Sequence, residues 1–156
     1  MKTLIIYDSQ FGNTEQIAQA IATELGGEDG GVRLTRVNSA SLEDLIGLDL
    51  LVVGSPTQRW NTTEAMTRFL QEIPPNILNH IRAAAFDTRL RARLGGSAAV
   101  KIERLLRQSG TRIIAPAGAF YVLEKTGPLA RGETESADKW ARELIKKPNP
   151  DDRKAF

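Results

Sequence analysis

Hydrophobic positions along the chain follow two periods that alternate from the N-terminus onward. Short apolar runs, such as residues 3–7 and 50–53, predict buried β-strands, and the second run contains no polar residue. Between these runs, apolar residues recur every three or four positions, which is the spacing of a helix that buries one face. The alternation predicts an α/β fold in which helices connect the strands of one parallel sheet.

Capping and turn residues suggest where each element begins and ends. Asn13 and Ser97 are each expected to cap a helix, and Pro74 and Pro75 end another that covers about residues 63–72. About five helices are expected, and the last, over residues 133–147, should bury Trp140, Leu144 and Ile145. The five predicted strands cover residues 3–7, 32–37, 50–53, 83–86 and 111–115, with residues 119–123 extending the last strand beyond Pro116.

The composition favours one globular domain. The chain has 156 residues, of which 41% are hydrophobic, and no repeat or interdomain linker is visible. We expect the domain to cover residues 1–147 and residues 148–156 to form a flexible polar C-terminal tail. The absence of cysteine excludes iron–sulfur clusters, thiolate zinc sites and cysteine nucleophiles, so redox chemistry would need a bound cofactor.

Charge and hydropathy limit the partners. No apolar stretch approaches the roughly 20 residues of a membrane helix, and the N-terminal run stops at Asp8, so we expect a cytoplasmic protein without a membrane partner. Residues 1–81 hold 5 basic and 10 acidic side chains, whereas residues 82–112 hold 8 basic and 2 acidic ones. Such a basic stretch suits nucleic acid, an anionic cofactor or an acidic partner, or forms a solvated helix face.

The loop after the first strand carries the parts of a phosphate site. Ligands in open parallel sheets bind beyond the carboxyl ends of the strands. Here the loop has hydroxyl residues at both ends, Ser9 and Thr14, with Gly12 between them and a helix directly behind. Main-chain N–H groups at a helix start bind a dianion without a lysine. An ordinary capped helix start is the alternative that these residues leave open.

The loops resemble those of the flavodoxin family. The first reads Ser9-Gln10-Phe11-Gly12-Asn13-Thr14 and is similar to the family's FMN-phosphate loop, with Phe11 in place of a threonine. Residues 54–57, leading to Trp60, resemble its second flavin loop with a stacking aromatic. The resemblance implies FMN and a flavodoxin-like three-layer sandwich, whose five-stranded parallel sheet has the order 2-1-3-4-5. The last strand lacks a long insertion, which is typical of the short-chain branch.

The same resemblance implies which residues contact the flavin. Asp87, Thr88 and Arg89 follow the fourth predicted strand, where main-chain amides and Thr88 would hold the pyrimidine edge. The tyrosine that family members often place there is missing, so we expect Leu90 or an arginine to cover that face. The implied cofactor-binding residues are Ser9, Gln10, Phe11, Gly12, Asn13, Thr14, Ser55, Pro56, Thr57, Gln58, Arg59, Trp60, Asn61, Asp87, Thr88 and Arg89.

The resemblance implies an electron carrier that receives electrons from a reductase and passes them to an acceptor protein. No catalytic side chain and no nucleic-acid partner is then expected. No glycine lies between Ser55 and Asn61, which predicts weak semiquinone accumulation. Basic side chains beside the predicted flavin rim favour a readily formed hydroquinone and a partner with an acidic docking face. These side chains are Arg59, Arg89, Arg91 and Arg93.

Two other functions stay open, and three are disfavoured. The chain could be an FMN oxidoreductase acting on a quinone or porphyrinogen, or an interaction module that has lost FMN. A receiver domain needs an aspartate where Gly54 and Ser55 stand. A serine hydrolase lacks a base near Ser9 or Ser55, because His80 is expected at the opposite edge of the sheet. A metal site would need more carboxylates than Asp8 and Asp87.

Overall fold

A computed structural model of the chain describes residues 1–91 and 96–146. The predicted tail, residues 148–156, lies outside these residues, and the predicted domain bounds stay a prediction. The strands are β1 (Thr3–Tyr7), β2 (Val32–Arg36), β3 (Leu50–Pro56), β4 (Arg82–Leu90), β5 (Arg112–Ile113) and β6 (Gly118–Val122). The α-helices are α1 (Asn13–Glu24), α2 (Glu64–Glu72), α3 (Ala98–Gln108) and α4 (Glu133–Ile145).

All pairings between these strands are parallel, and the sheet has the order β2-β1-β3-β4-β5, which confirms the predicted 2-1-3-4-5 order. The last strand is broken around Pro116, as predicted. Its first part, β5, pairs with Arg82 and Ala83, and its second part, β6, pairs with residues 86–90 of the same strand. Since α1 and α4 cover one face and α2 and α3 the other, the three-layer sandwich is confirmed.

Two hydrophobic cores lie on the two faces of the sheet. Leu50 and Val52 pack with α1 and α4, whereas Leu51 and Val53 pack with α2 and α3. Successive side chains of a strand point to opposite faces, so a strand covered on both sides needs apolar residues at every position. This explains the uninterrupted apolar run in β3.

The fourth strand is longer than predicted. It continues from Arg82 to Leu90, so Asp87, Thr88 and Arg89 lie in the strand and not in a loop after it. The reason is tertiary, because β6 supplies the neighbouring strand that hydrogen-bonds residues 86–90. Ser55 and Pro56 likewise belong to β3, where they pair with Asp87 and Thr88.

The helix boundaries confirm one predicted cap and correct another. Ser97 caps α3, since its Oγ accepts a hydrogen bond from the Val100 N–H at 3.2 Å. Asn13 does not cap α1, because Gly12 stands at that position in the left-handed conformation, with φ of 88°. Asn13 instead donates its side-chain N–H to the Thr126 carbonyl at 3.2 Å.

The number of helices and the last helix also differ from expectation. Only short 3₁₀ turns, at Val37–Ser39 and Leu42–Leu45, connect β2 to β3, so the described residues contain four α-helices and not about five. Leu144 is buried as predicted, but Ile145 is 43% exposed because it lies one position beyond the inward-facing stripe. Trp140 is half-buried against Phe86 and Phe120. None of the described helices has the length and apolarity required to cross a membrane.

Candidate functional site

A cleft opens at the carboxyl ends of β1, β3 and β4. It consists of a compartment of about 250 Å³ and a larger, open one of about 1010 Å³. Thirteen of the sixteen predicted site residues line it, and the three that do not are Gly12, Ser55 and Asp87. The wall shared by both compartments consists of Ser9, Gln10, Phe11, Pro56, Thr57, Arg59, Leu90 and Lys125.

Several cleft residues were not predicted as flavin contacts. Val122 and Lys125 lie at and beyond the end of β6, and Gly96 precedes α3. Thr62 and Thr63 line the larger compartment beside Asp8. These residues are far from the first loop in sequence and carry no motif, so only the folded arrangement brings them to the cleft. The Gly127-Pro128 pair, shortly after Lys125, is a local sign of a turn there.

The start of α1 leaves main-chain amides open. Within the described parts of the chain, the N–H groups of Gln10, Phe11, Asn13 and Thr14 have no acceptor. Gly12, the residue before the helix, has a φ of 88°, where a side chain would be strained. Gly12 has no side chain to cap this helix. Since the positive end of the helix dipole coincides with these amides, the arrangement suits an external anion.

Ser9 shapes the loop from its first residue. Its Oγ accepts hydrogen bonds from the Gly12 N–H at 3.1 Å and from the Glu15 N–H at 3.3 Å. Because the two lone pairs of a hydroxyl are then used, the Ser9 hydroxyl proton is left to donate to a bound ligand. Arg36, at the end of β2, donates to the Ser9 carbonyl at 3.1 Å and also pairs with Glu15. The loop is thus held from both sides.

A tyrosine lies beneath this loop at the end of β1. The ring of Tyr7 is buried, and the Arg36 guanidinium carbon lies 5.3 Å from its centroid. Burial raises the pKa of Tyr7 above its ordinary value, and the neighbouring Glu15 charge adds to the rise. The phenol therefore stays protonated at neutral pH and adds no negative charge below the open amides.

Hydroxyl groups join the helix start to the sheet. The side chains of Thr14 and Thr88 are both buried and share a hydrogen bond of 2.7 Å. Thr88 thus lies at the cleft as predicted, but it belongs to strand β4 and not to a loop after it. Its main-chain carbonyl also accepts from the Thr57 N–H at 2.9 Å, which ties the second loop to the same strand.

Trp60 stands on a tight turn. Gln58 and Asn61 exchange two main-chain hydrogen bonds of 2.7 and 2.9 Å, so the turn has only Arg59 and Trp60 at its tip. Both tip residues have positive φ, of 47° and 66°. Left-handed backbone at non-glycine residues costs on the order of 1–3 kcal/mol each. The Trp60 side chain is 70% exposed and lines the smaller compartment, so an apolar face is available to a planar ligand.

The Asp87 side chain accepts hydrogen bonds from the start of α3. It is fully buried, and its Oδ2 accepts from the Ser97 hydroxyl at 2.7 Å and from the Ala99 N–H at 3.1 Å. Arg89 Nε lies 3.7 Å from the other carboxylate oxygen. The Ala98 N–H donates to Thr57 Oγ1 at 3.0 Å. The first amides of α3 are therefore satisfied from within the protein.

The cleft rim is basic and partly apolar. Arg59 and Lys125 line the cleft and Arg91 follows β4, and all three are exposed and form no ion pair within the described residues. Arg89 and Arg91 also lie over the Tyr121 ring, 5.9 and 4.2 Å from its centroid. Arg93, predicted for the same rim, lies outside the described residues. The other side chains of the basic stretch are elsewhere, and Lys101 and Arg104 line a separate groove between α2 and α3.

Two apolar side chains are also exposed in the cleft. Leu90 and Phe11 line both compartments and are 44% and 46% exposed.

His80 lies with Asp49 and Arg82 beside a separate depression, away from the cleft. Among the residues that the structure describes, no cluster of three or more His, Cys, Asp or Glu side chains could hold a metal ion.

Comparisons with known proteins agree on one family. A family model described as a flavodoxin domain matches residues 4–121. A flavodoxin of Aquifex aeolicus is 38% identical over 73 residues, which are 46% of this chain and 40% of that protein. The aligned segment thus spans less than half the length of the curated relatives that the chain matches.

Solved structures match over nearly the whole chain. Oxidised flavodoxin 2 of Bacillus cereus has a TM-score of 0.80 at 25% identity, covering 92% of this chain and 97% of that one. Oxidised flavodoxin 1 of the same organism has a TM-score of 0.79 at 18% identity, covering 96% and 100%. At so low an identity the second likeness concerns the fold alone.

Proposed function

This chain belongs to the flavodoxin family, as a member of its short-chain type, and from that premise we propose that it binds FMN and carries electrons from a reductase to an acceptor protein. The family binds flavin, and the choice of FMN rests here on the terminal phosphate. The open amides at the start of α1 carry the proposal, because they form an anion site that no side chain of the described protein fills.

The phosphate would be held by main-chain groups. The N–H groups of Gln10, Phe11, Asn13 and Thr14 and the hydroxyl proton of Ser9 all remain available as donors. Hydrogen bonds to an ionised acceptor are about twice as strong as neutral ones. Phe11 does not remove this site, because its main-chain N–H contributes even though its side chain offers no hydroxyl.

The flavin ring would lie in the cleft beside Trp60. When bound, FMN supplies the electron chemistry, and the protein supplies position and electrostatics. Trp60 offers one apolar face, while Leu90 stands where the family often has a second aromatic ring. The Thr88 side chain and the main chain of β4 border the same compartment, consistent with a role at the pyrimidine edge.

The basic rim supports a protein partner of opposite charge. Arg59 and Lys125 line the open compartment of the cleft together with the exposed side chains of Phe11 and Leu90. A partner with an acidic rim around an apolar centre would match this surface, and it would associate faster at low ionic strength. The cytoplasmic location expected from the sequence stays a prediction.

A second candidate function rests on the open space of the cleft. The larger compartment, of about 1010 Å³, extends past Gln58 and Asn61 toward Thr63. An FMN oxidoreductase acting on a quinone or porphyrinogen needs room for a substrate next to the flavin, and the lack of an aromatic ring at Leu90 is consistent with this. An FMN-free interaction module is the third possibility.

The cofactor is tested by calorimetric titration with FMN and with riboflavin, which lacks the phosphate. We expect FMN to bind more tightly by about 3–4 kcal/mol, or several hundredfold, because riboflavin cannot use the open amides. Yellow protein after purification would agree with this. Equal affinity for the two flavins would contradict the assignment of the phosphate site, and binding of neither would favour the interaction module.

The redox role needs a separate assay with the loaded protein. We expect reduction by a flavodoxin reductase and no steady turnover of a benzoquinone with reduced nicotinamide alone. Turnover without any added protein would favour the oxidoreductase instead. Raising the ionic strength should slow reduction by a reductase with an acidic face, and a rate independent of salt would contradict docking through the basic rim.

A further inference from the structure

The turn that carries Trp60 has a conformation its own residues disfavour. Arg59 and Trp60 both have positive φ, although neither is a glycine or an asparagine. Two-residue turns of this type usually have Asn-Gly or Asp-Gly at the tip. The local sequence therefore does not fix the position of the Trp60 ring, and contacts from outside the turn must contribute.

One contact from outside the turn is a hydrogen bond to the loop that follows β1. Gln58 donates its side-chain N–H to the Gln10 side-chain carbonyl at 2.6 Å. Both side chains are exposed, so this bond competes with water. It joins the base of the turn to the phosphate loop, but it does not touch Trp60 itself.

Gly96 packs closely against Trp60 from outside the turn. A Cβ atom placed on Gly96 would lie 2.5 Å from Trp60 Cβ, 2.6 Å from its carbonyl oxygen and 2.8 Å from its Cα. Two of these three atoms belong to the main chain, so rotation of the Trp60 side chain could not relieve the overlap. Trp60 can therefore pack this closely against residue 96 only because glycine has no side chain.

The position of Gly96 is itself fixed by α3. The next residues are anchored at three points, since the Ser97 hydroxyl donates to Asp87, the Ala98 N–H to Thr57 and the Ala99 N–H to Asp87. Asp87 lies in a central strand and is fully buried. A path of hydrogen bonds and close packing therefore runs from the sheet through the start of α3 to the Trp60 turn.

We propose that Gly96 is a positioning residue that holds the Trp60 ring at the cleft, so that the start of α3 determines how a flavin stacks there. The stacking part rests on the proposed function, whereas the placement of Trp60 does not. Any residue larger than glycine at position 96 pushes the main chain of Trp60 away from α3. The Trp60 ring is then displaced relative to the open amides of α1.

The test without flavin uses 5-fluorotryptophan, with Gly96→Ala compared to Gly30→Ala. A Cβ on Gly30 would meet only an ordinary contact, the Leu25 carbonyl at 3.5 Å. We expect the fluorine resonance of Trp60, assigned with Trp140→Phe, to shift in Gly96→Ala and stay in place in Gly30→Ala. The Trp140 resonance should not move in either variant. An unmoved Trp60 resonance in Gly96→Ala would overturn the proposal.

The second arm measures FMN affinity in a double-mutant cycle. Gly96→Ala should raise the FMN dissociation constant at least fivefold in the wild-type background and less than twofold when Trp60 is replaced by alanine. Equal effects in both backgrounds would mean that Gly96 does not act through the ring. If the wild-type protein fails to bind FMN, the proposed function fails while the fluorine measurement still decides the role of Gly96.

A milder variant covers the case in which Gly96→Ala does not fold. Thr57→Val keeps the shape of the side chain and removes the acceptor of the Ala98 N–H. It loosens the link between α3 and the turn, and a smaller shift of the Trp60 resonance is expected. If this resonance is unchanged in Thr57→Val, the path from α3 to the turn is refuted.

Discussion

Two helices begin at the same edge of the sheet, and they treat their first amides in opposite ways. At the start of α1, four main-chain N–H groups have no acceptor in the described protein, and a left-handed glycine stands before the helix. At the start of α3, Ser97, Thr57 and the buried Asp87 accept the first three N–H groups. Both starts have the same dipole, so the difference lies in the side chains that reach them.

This difference shows which positive helix end is available to a ligand. A buried carboxylate at α3 neutralises that end and contributes to folding, whereas the open end of α1 gains its acceptor only from outside. Changes to the acceptors at the start of α3 are therefore expected to lower stability alone, whereas changes that displace the open amides of α1 should also lower ligand affinity. Two substitutions test this division, and a third tests the bond that joins α1 to β4.

The largest effect is expected for Asp87→Ala. The change leaves the Ser97 hydroxyl and the Ala99 N–H without their buried acceptor, and we expect the free energy of unfolding to fall by about 3 kcal/mol. Urea denaturation of the flavin-free protein measures it. Asp49→Ala is the control, since Asp49 is exposed and accepts from one main-chain N–H, that of Lys2. Similar losses in the two variants would show that the α3 start does not depend on its buried carboxylate.

A smaller effect is expected for Gly12→Ala. Nothing lies within 4 Å of the added Cβ, so the cost comes from φ and should be about 1–2 kcal/mol of stability. Relief of that strain would turn the Asn13 N–H away from the anion site. Because the phosphate then loses a donor, we expect about tenfold weaker FMN binding.

Gly132→Ala provides a matched control for Gly12→Ala. Gly132 precedes α4 with a φ of 84°, also with nothing within 4 Å of an added Cβ. It should lose the same stability in urea and leave FMN affinity, measured by calorimetry, unchanged. If both variants lose affinity equally, the start of α1 is not the phosphate site.

The smallest effect is expected for Thr14→Val, which keeps the side-chain shape but removes a buried hydroxyl. The Thr88 hydroxyl then loses its partner, and we expect a loss of about 1 kcal/mol in thermal or urea unfolding. Because Thr88→Val removes the stranded group, the double variant should be more stable than the sum of the single losses predicts. Additive losses would argue that the bond between α1 and β4 does not stabilise the helix start.

The fold and the first loop followed from local patterns in the sequence. Apolar runs with no polar position require burial on both faces, which only a covered parallel sheet provides. The hydroxyl residues and Gly12 of the first loop lie within six consecutive positions, so their chemistry is visible without any knowledge of contacts. The prediction that Ser97 caps a helix is confirmed for the same reason, since a cap bonds within three residues.

Only the tertiary structure decided the rest of the site. The length of β4 depends on pairing with β6, about thirty residues later, and this pairing turns Asp87 from an expected loop residue into a buried acceptor for α3. Lys125, Val122 and Gly96 reach the cleft through long-range packing, which leaves no periodic or compositional trace in the sequence. Residue type determines which groups can bind an anion, but the contacts made on folding determine which of them remain free to do so.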